Sequence, residues 1–262
     1  MTILDQLADH ARARTEEKKK RIPLTEMRKR AGEGFREFAP FSFEEALKKP
    51  GLSFICECKK ASPSRGLIAP DFPYLKIARE YEEAGADAVS VLTEPKWFLG
   101  SDEYLKEIAS AVSIPCLRKD FTVDEYMIYE AKALGASAVL LIVSLLDKSR
   151  LKAWLQLCDE LGLSALTETH DASEIETALD CKARIIGVNN RNLKDFSVNT
   201  ENAGALRQFV PENVLFVSES GVKTAEDVLA VKRSGADAVL IGEALMTAED
   251  KSEKLRDLKR LL

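Results

Sequence analysis

One pattern of small, apolar and polar positions recurs three times along the chain. It reads Ala84-Gly-Ala-Asp-Ala-Val-Ser-Val-Leu92, then Leu134-Gly-Ala-Ser-Ala-Val-Leu-Leu-Ile142, then Ser234-Gly-Ala-Asp-Ala-Val-Leu-Ile-Gly242. Each copy reads as a helix end, a glycine stop, a short turn and an apolar strand. Glycine suits the stop because the residue just past a helix often takes positive φ, where a Cβ would clash. A repeated helix–glycine–strand unit implies β–α units and a parallel sheet. Followed through the gaps, the pattern predicts strands near 53–58, 87–92, 115–118, 137–143, 164–168, 184–189, 214–219 and 237–241. Helical spacing fills the intervals. Leu151, Trp154, Leu155 and Cys158 fall at i, i+3, i+4 and i+7 on one face. Thr122 with Glu125, Asp171 with Glu174 and Thr224 with Asp227 have the spacing of helix N-terminal caps.

Eight units of about 26 residues are the period of an α/β (β/α)8 TIM barrel, and 262 residues match its usual size. An open doubly wound sheet would carry a glycine-rich dinucleotide turn after its first strand. That position reads Glu57-Cys-Lys-Lys-Ala-Ser-Pro-Ser-Arg-Gly66, which is no such turn. Residues 49–262 are therefore assigned to the barrel. Residues 1–48 lie outside the repeat. Ile3, Leu4, Leu7, Ala8 and Ala11 predict an amphipathic start, and Pro23 and Pro40 break the rest of the segment into pieces. The segment is too short for a core of its own. It is expected to be a helical extension packed on the barrel, in one structural domain overall.

Composition narrows the function classes. A hydrophobic content of 45% builds a large core, and the net charge of −5 gives no reason to expect nucleic acid. The basic run Lys18-Lys19-Lys20-Arg21 follows Glu16 and Glu17 and reads as a solvated helix face. No apolar run approaches a membrane span, and the first 21 residues lack a secretory leader, so the cytosol is the expected compartment. Cys56, Cys58, Cys116, Cys158 and Cys181 are odd in number and scattered, the mark of buried thiols rather than disulfides or a metal site.

Chemistry in such a barrel sits at the C-terminal strand ends. Period two puts Ile55, Glu57 and Lys59 on one face and Cys56 and Cys58 on the other. Cysteines suit the helix side, which aims Glu57 and Lys59 into the mouth; a purely structural ion pair is the alternative. Lys119 ends the third strand, Glu168 the fifth and Asn189 the sixth, with Arg191 two residues beyond. Residues at the ends of several barrel strands must converge on one axis. Turns after strands seven and eight commonly bind phosphate. Here they carry Ser220, Gly221, Gly242 and Glu243, where the Glu243 carboxylate is expected to point away and leave its N–H for the anion. His10 is expected on a solvated helix and His170 in a loop, so acid–base work falls to lysine and glutamate. No carboxylate and histidine cluster has metal-ligand spacing.

The motifs Glu57-Cys-Lys-Lys-Ala-Ser-Pro-Ser64, Leu117-Arg-Lys-Asp-Phe121, Asn189-Asn-Arg-Asn-Leu193, Ser218-Glu-Ser-Gly221 and Ile241-Gly-Glu-Ala-Leu-Met246 resemble the indole-3-glycerol-phosphate synthase family of tryptophan biosynthesis. The resemblance spans the whole chain. It implies closure of an indole ring on 1-(2-carboxyphenylamino)-1-deoxyribulose 5-phosphate, with loss of carbon dioxide and water. It implies Lys119 as general acid, Glu168 as general base of the dehydration and Lys59 as a second lysine binding substrate. Glu57 and Asn189 would orient the reacting groups. Ser62 and Arg191 would contact substrate, with Phe98, Phe121 and Leu193 as apolar walls, and Ser220, Gly221, Gly242 and Glu243 would form the phosphate site. The family needs no cofactor, and a monomer that takes a small phosphorylated substrate is the expected unit, with no nucleic-acid or membrane partner. Two rivals stay open: phosphoribosylanthranilate isomerase, which uses a cysteine and an aspartate, and a barrel that binds a phosphorylated ligand without turnover.

Overall fold

The computed structural model describes residues 2–33, 39–192 and 197–262. Eight parallel strands close into a barrel: β1 (Ser53–Cys58), β2 (Ala88–Leu92), β3 (Cys116–Lys119), β4 (Ala138–Ile142), β5 (Ser164–Thr169), β6 (Ile185–Asn189), β7 (Leu215–Glu219) and β8 (Ala238–Ile241). Closure comes from β1, which pairs with both β8 and β2. Each strand falls within a residue or so of its sequence-predicted position. The stop glycines of the three repeats, Gly85, Gly135 and Gly235, hold φ of 84°, 87° and 81°. A short hairpin pairs Ala61–Ser62 with Gly66–Leu67 in the loop after β1.

Strand alternation creates two cores. Ile55, Leu117, Leu140, Leu166, Ile185, Val217 and Leu240 fill the barrel interior. Phe54, Cys56, Cys58, Val89, Val139, Ile186 and Phe216 face the surrounding helices, and all five cysteines are buried free thiols. Burial pushes the Cys56, Cys58 and Cys158 thiols well up from their ordinary range. Caps at Asp171 and at the Thr224–Asp227 box form as spaced, opening the helices Ala172–Asp180 and Ala225–Arg233. The cap of the helix Glu125–Ala133 is Asp124, not Thr122, because Asp124 accepts the Tyr126 N–H.

Among the described residues, three helices precede the barrel: α1 (Ile3–Arg21), α2 (Leu24–Glu33) and α3 (Ser42–Leu47). Leu7, Ala8 and Ala11 of α1 join the interior core from one side, and Phe43 and Leu47 of α3 join it too. The Glu44 N–H bonds to Ser164 and the Ser53 hydroxyl to Ala46, so α3 lies beneath the barrel, where the strands begin. The α1 helix lies across the opposite end. Its basic run is a solvated face only at Lys20 and Arg21, which are exposed. Lys18 pairs with Asp102 and Glu130, and Lys19 reaches Asp124 at 2.6 Å. His10 likewise turns inward, with its ring edge-on to Trp97 and its Nδ1 3.1 Å from the buried Glu94 carboxylate. Hydrophobic spacing could place this helix but not its charged partners, which lie about a hundred residues away.

The deepest of these ties is bidentate. Arg14 donates to Asp120 at 2.9 and 2.7 Å. Asp120 is fully buried and also accepts from Thr93 at 2.5 Å. Burial alone would raise its carboxyl, but Arg14, with Arg118 and Thr93, outweighs burial and holds it at about 2. We expect Arg14→Ala to leave that carboxylate buried without its main partner and to lower stability by roughly 3–5 kcal/mol. Urea unfolding of the purified variant checks this, and a wild-type midpoint would refute it.

Candidate active site

The barrel interior turns polar one step above its apolar floor. Moving two residues along a strand keeps a side chain on the same face. Ile55 leads to Glu57, Leu117 to Lys119, Leu166 to Glu168, Gly187 to Asn189 and Val217 to Glu219. The parallel register staggers them, Glu168 pairing with Gly187 and Asn189 with Glu219, and the side chains still converge on one cleft. The result is a ring of charge at the mouth under α1.

Lys119 is its centre. Its ammonium lies 2.9 Å from Glu168 and 3.1 Å from Glu219, both almost wholly buried. Burial alone would depress the ammonium. Glu168, Glu219 and Glu57 outweigh it and hold the proton more firmly than an ordinary lysine does. Glu168 is held below its usual range despite burial, by Lys119, His170 and Asn189. Glu219 goes the other way. Burial, with Glu168 and Glu57 nearby, pushes its carboxyl up to about 7 even though Lys119 favours the ionised form. Lys59 pairs with Glu57 at 2.6 Å, and the Ser90 hydroxyl reaches the other Glu57 oxygen at 3.4 Å.

Two glycines leave room for this cluster. A Cβ on Gly187 would lie 2.3 Å from a Glu219 oxygen, and one on Gly242 would lie 2.4 Å from Glu57 and 2.9 Å from Lys59. Gly242 thus makes space for the Glu57–Lys59 pair as well as for any anion at its turn.

A cleft above the cluster has two adjoining lobes. Ile3, Leu7, Phe98, Phe121 and Leu140 wall the first, with Lys119, Glu168, Asn189 and Ser62 at its polar face. Phe98 and Phe121 stand 6.0 Å apart, ring centre to ring centre. Phe98 is positioned by Glu94, whose carboxylate accepts the N–H groups of Lys96, Trp97 and Phe98. The second lobe shares Glu57, Lys59, Arg191, Ser220 and Glu243 and adds Arg65, Gly221 and Gly242. Ser220 holds the uncommon φ of 68°, locked by its hydroxyl bond to Asn189 at 2.9 Å and by an Asn190 amide on its carbonyl. Glu243 does not point away. It accepts from Arg65 and lies 3.6 Å from Arg191, so a carboxylate spans the mouth of this lobe.

Every sequence-predicted site residue lines one of the two lobes except Leu193, which lies outside the described residues. Sequence reasoning missed Glu219, Arg65, Glu94 and the setting of His170. For Glu219 the signal is present. Its motif reads as a turn, yet alternation from Val217 puts it inside. Cys56 and Cys58 face the helices, away from the cleft. The arrangement can deliver a proton from an ammonium, accept one at a carboxylate, and bind an anion between cations and turn N–H groups.

Comparison with known proteins adds to this geometry. The profile of the indole-3-glycerol phosphate synthase family matches residues 4–258. The indole-3-glycerol phosphate synthase of Ruminiclostridium cellulolyticum is 52% identical over 257 residues, 98% of each chain. That of Lachnoclostridium phytofermentans is 50% identical over 99% of this chain and 100% of its own. That of Lacticaseibacillus paracasei is 48% identical over 98% of each. Among solved structures, a 3-hexulose-6-phosphate synthase superposes with a TM-score of 0.66 at 16% identity, covering 80% of this chain and 100% of its own. Thiamine phosphate pyrophosphorylase from Pyrococcus furiosus gives 0.61 at 18%, covering 80% and 95%. At such identities these two speak for the fold alone.

The raised Glu219 carboxyl has a pH signature. A group whose pKa rises on folding adds stability below its unfolded value, and that contribution is lost as pH climbs through the folded value. Glu219→Gln carries no such ionisation. Its melting temperature relative to wild type should therefore climb between about pH 5 and about pH 8. Parallel curves for the two proteins would refute the shift.

Proposed function

Because the chain belongs to the indole-3-glycerol phosphate synthase family, we propose that the Lys119–Glu168 pair is the acid–base couple of its reaction. That reaction closes the ring of 1-(2-carboxyphenylamino)-1-deoxyribulose 5-phosphate and releases carbon dioxide and water. The observation that carries the assignment is the 2.9 Å contact between Lys119 and Glu168 beneath an aromatic-walled cleft. Ring closure needs a proton at the carbonyl oxygen while the aryl carbon attacks it. Lys119 supplies that proton, with Glu219 holding the ammonium from the far side. Phe98 and Phe121 wall the aryl group and hold it against the carbonyl, which lowers the entropic part of the barrier. Loss of carbon dioxide restores the aromatic ring. Dehydration then needs an acid at the hydroxyl and a base at the neighbouring carbon. Glu168 is the base; Lys59, oriented by Glu57, stands on another side of the site. Asn189 orients Glu168 and the Ser220 turn together.

The phosphate takes the second lobe, against the Ser220–Gly221 and Gly242–Glu243 turns, with Arg191 and Lys59 as counter-charges. Ser62 contributes from the loop after β1. No metal or cofactor enters the scheme. The monomer is its working unit, since one chain supplies every group named. A cytosolic setting suits five buried free thiols, and no helix among the described residues is long and apolar enough to cross a membrane.

Lys119→Ala should reduce kcat about a thousandfold while leaving circular dichroism unchanged. The assay is the rise of indole fluorescence from the purified substrate without added metal, and a near-normal kcat removes Lys119 from the role of acid. Glu243→Gln should bind inorganic phosphate more tightly than wild type, because Arg65 and Arg191 lose a competing carboxylate. Equal or weaker inhibition by phosphate would contradict that.

A further inference from the structure

His170 stands two residues beyond Glu168, on the side of the site away from the phosphate lobe. Its Nε2 is buried and has no hydrogen-bond partner among the described residues. That atom lies 3.6 Å from the Glu168 oxygen Oε1, the oxygen that Lys119 does not use. The other ring nitrogen, Nδ1, lies 3.1 Å from Glu174 in the helix Ala172–Asp180, and the His170 N–H donates to the same Glu174 oxygen at 2.7 Å. Asn202, the first residue of the helix Asn202–Leu206, fixes the backbone by donating to the His170 carbonyl. Beyond Glu174 a cleft of about 420 Å³ runs past Thr2, Ser144 and the exposed Asp171. The imidazole therefore bridges two compartments. One nitrogen faces the buried acid–base pair and the other faces Glu174, which lines that second cleft.

The reaction's proton count gives this bridge a purpose. The substrate's carbonyl oxygen leaves as water and so acquires two protons. The carboxylate leaves as carbon dioxide and brings none. One proton returns from the carbon deprotonated during dehydration. Each turnover therefore draws one proton from solvent, while substrate fills the open cleft over Lys119.

We propose that His170 is the inlet for that proton, passing it from the Glu174 channel to Glu168 and so to Lys119. This rests on the acid–base assignment of those two residues. Nε2 gives its proton to Glu168 Oε1, Glu168 passes one to the Lys119 amine, and the imidazole regains one from water in the channel. The 3.6 Å gap closes in the substrate complex or through one water, as apo catalytic contacts commonly do. The groups facing the ring are Glu168 on its own strand, Glu174 on the following helix and, farther off, Glu219 on β7. Burial alone would favour a neutral ring, but these carboxylates outweigh it and shift the ring toward its charged form. His170 acts through Glu168 and is a positioning and relay residue, not one that touches substrate.

The test is steady-state turnover of the full chain with the carboxyphenylamino-deoxyribulose phosphate. His170→Asn should lower kcat roughly tenfold with little change in KM, and its kcat–pH profile should lose the ionisation belonging to the ring. His170→Ala should be rescued by added imidazoles, with rates that follow the pKa of the imidazole used. A kcat and pH profile like wild type in His170→Asn would overturn the proposal. So would a loss in His170→Ala that imidazole leaves untouched, since that marks a structural role. Melting curves of both variants confirm the fold. Glu168→Gln run alongside separates the two levels. If it keeps full turnover, the acid–base reading itself fails, whatever His170 does.

Discussion

Charge removed from water must find its counter-charge in the same small space, and the mouth of this barrel is organised around that requirement. An isolated buried ion costs several kcal/mol even after relaxation. Here Lys119 sits between Glu168 and Glu219, and Lys59 sits on Glu57. Three carboxylates face two ammoniums, so a proton on Glu219 brings the cluster to balance. That is why Glu219, the most enclosed of the three, titrates far above an ordinary glutamate. The same crowding explains Gly187 and Gly242, whose missing side chains are the space the carboxylates occupy.

The requirement extends outward through β3. Consecutive strand residues face opposite sides. Lys119 enters the barrel, while Arg118 is buried among the helices on Asp102 and Glu130, and Asp120 receives Arg14 from α1. Three adjacent residues thus tie the mouth, the helical layer and the N-terminal helix together. Asp102 and Glu130 also receive Lys18, so the extension is fastened by charge at the level of the reacting groups. The Lys119 backbone has little room to shift without breaking a buried pair. Distances of about 3 Å between reacting groups demand that stiffness.

How much of this was legible in the sequence depends on the range of the forces involved. Strand positions, helix stops and the inward aim of Glu57, Lys59, Lys119 and Glu168 rest on local periodicity, and they emerge to within a residue or so. Long-range charge pairing has no local signature. Nothing near Lys18 says that its partners are Asp102 and Glu130, and nothing near Glu243 points to Arg65. Glu219 is hidden for another reason. Its tetrapeptide carries two signals, a turn and an inward position, and the turn is the louder. His170 looks like a loop residue because its meaning depends on Glu174 one helical turn away and on which oxygen of Glu168 remains open. Thr122 loses the helix cap to Asp124 by two positions, a slip within the usual uncertainty of helix ends.

The free site resembles a set of charges stored on one another, and this bears on how a tightly held ammonium can serve as an acid. A Lys119 proton held by carboxylates is poorly available to a neutral ketone, whose oxygen is a weak base. In the proposed reaction, as the aryl carbon attacks, that oxygen becomes an alkoxide and competes with Glu168 and Glu219 for the same proton. The ammonium therefore interacts most strongly with the state in which charge has developed, the condition for lowering a barrier rather than merely binding substrate. The lobe proposed for the phosphate would work on a similar exchange. Arg65 and Arg191 rest against Glu243, so neither guanidinium is uncompensated before an anion binds in the proposed scheme. On that proposal, only part of the binding energy goes to displacing a carboxylate, and the remainder orients the ketone beneath Lys119. A site built from unpaired cations would bind the phosphate more tightly. It would also hold substrate and transition state alike, and so gain affinity without gaining rate.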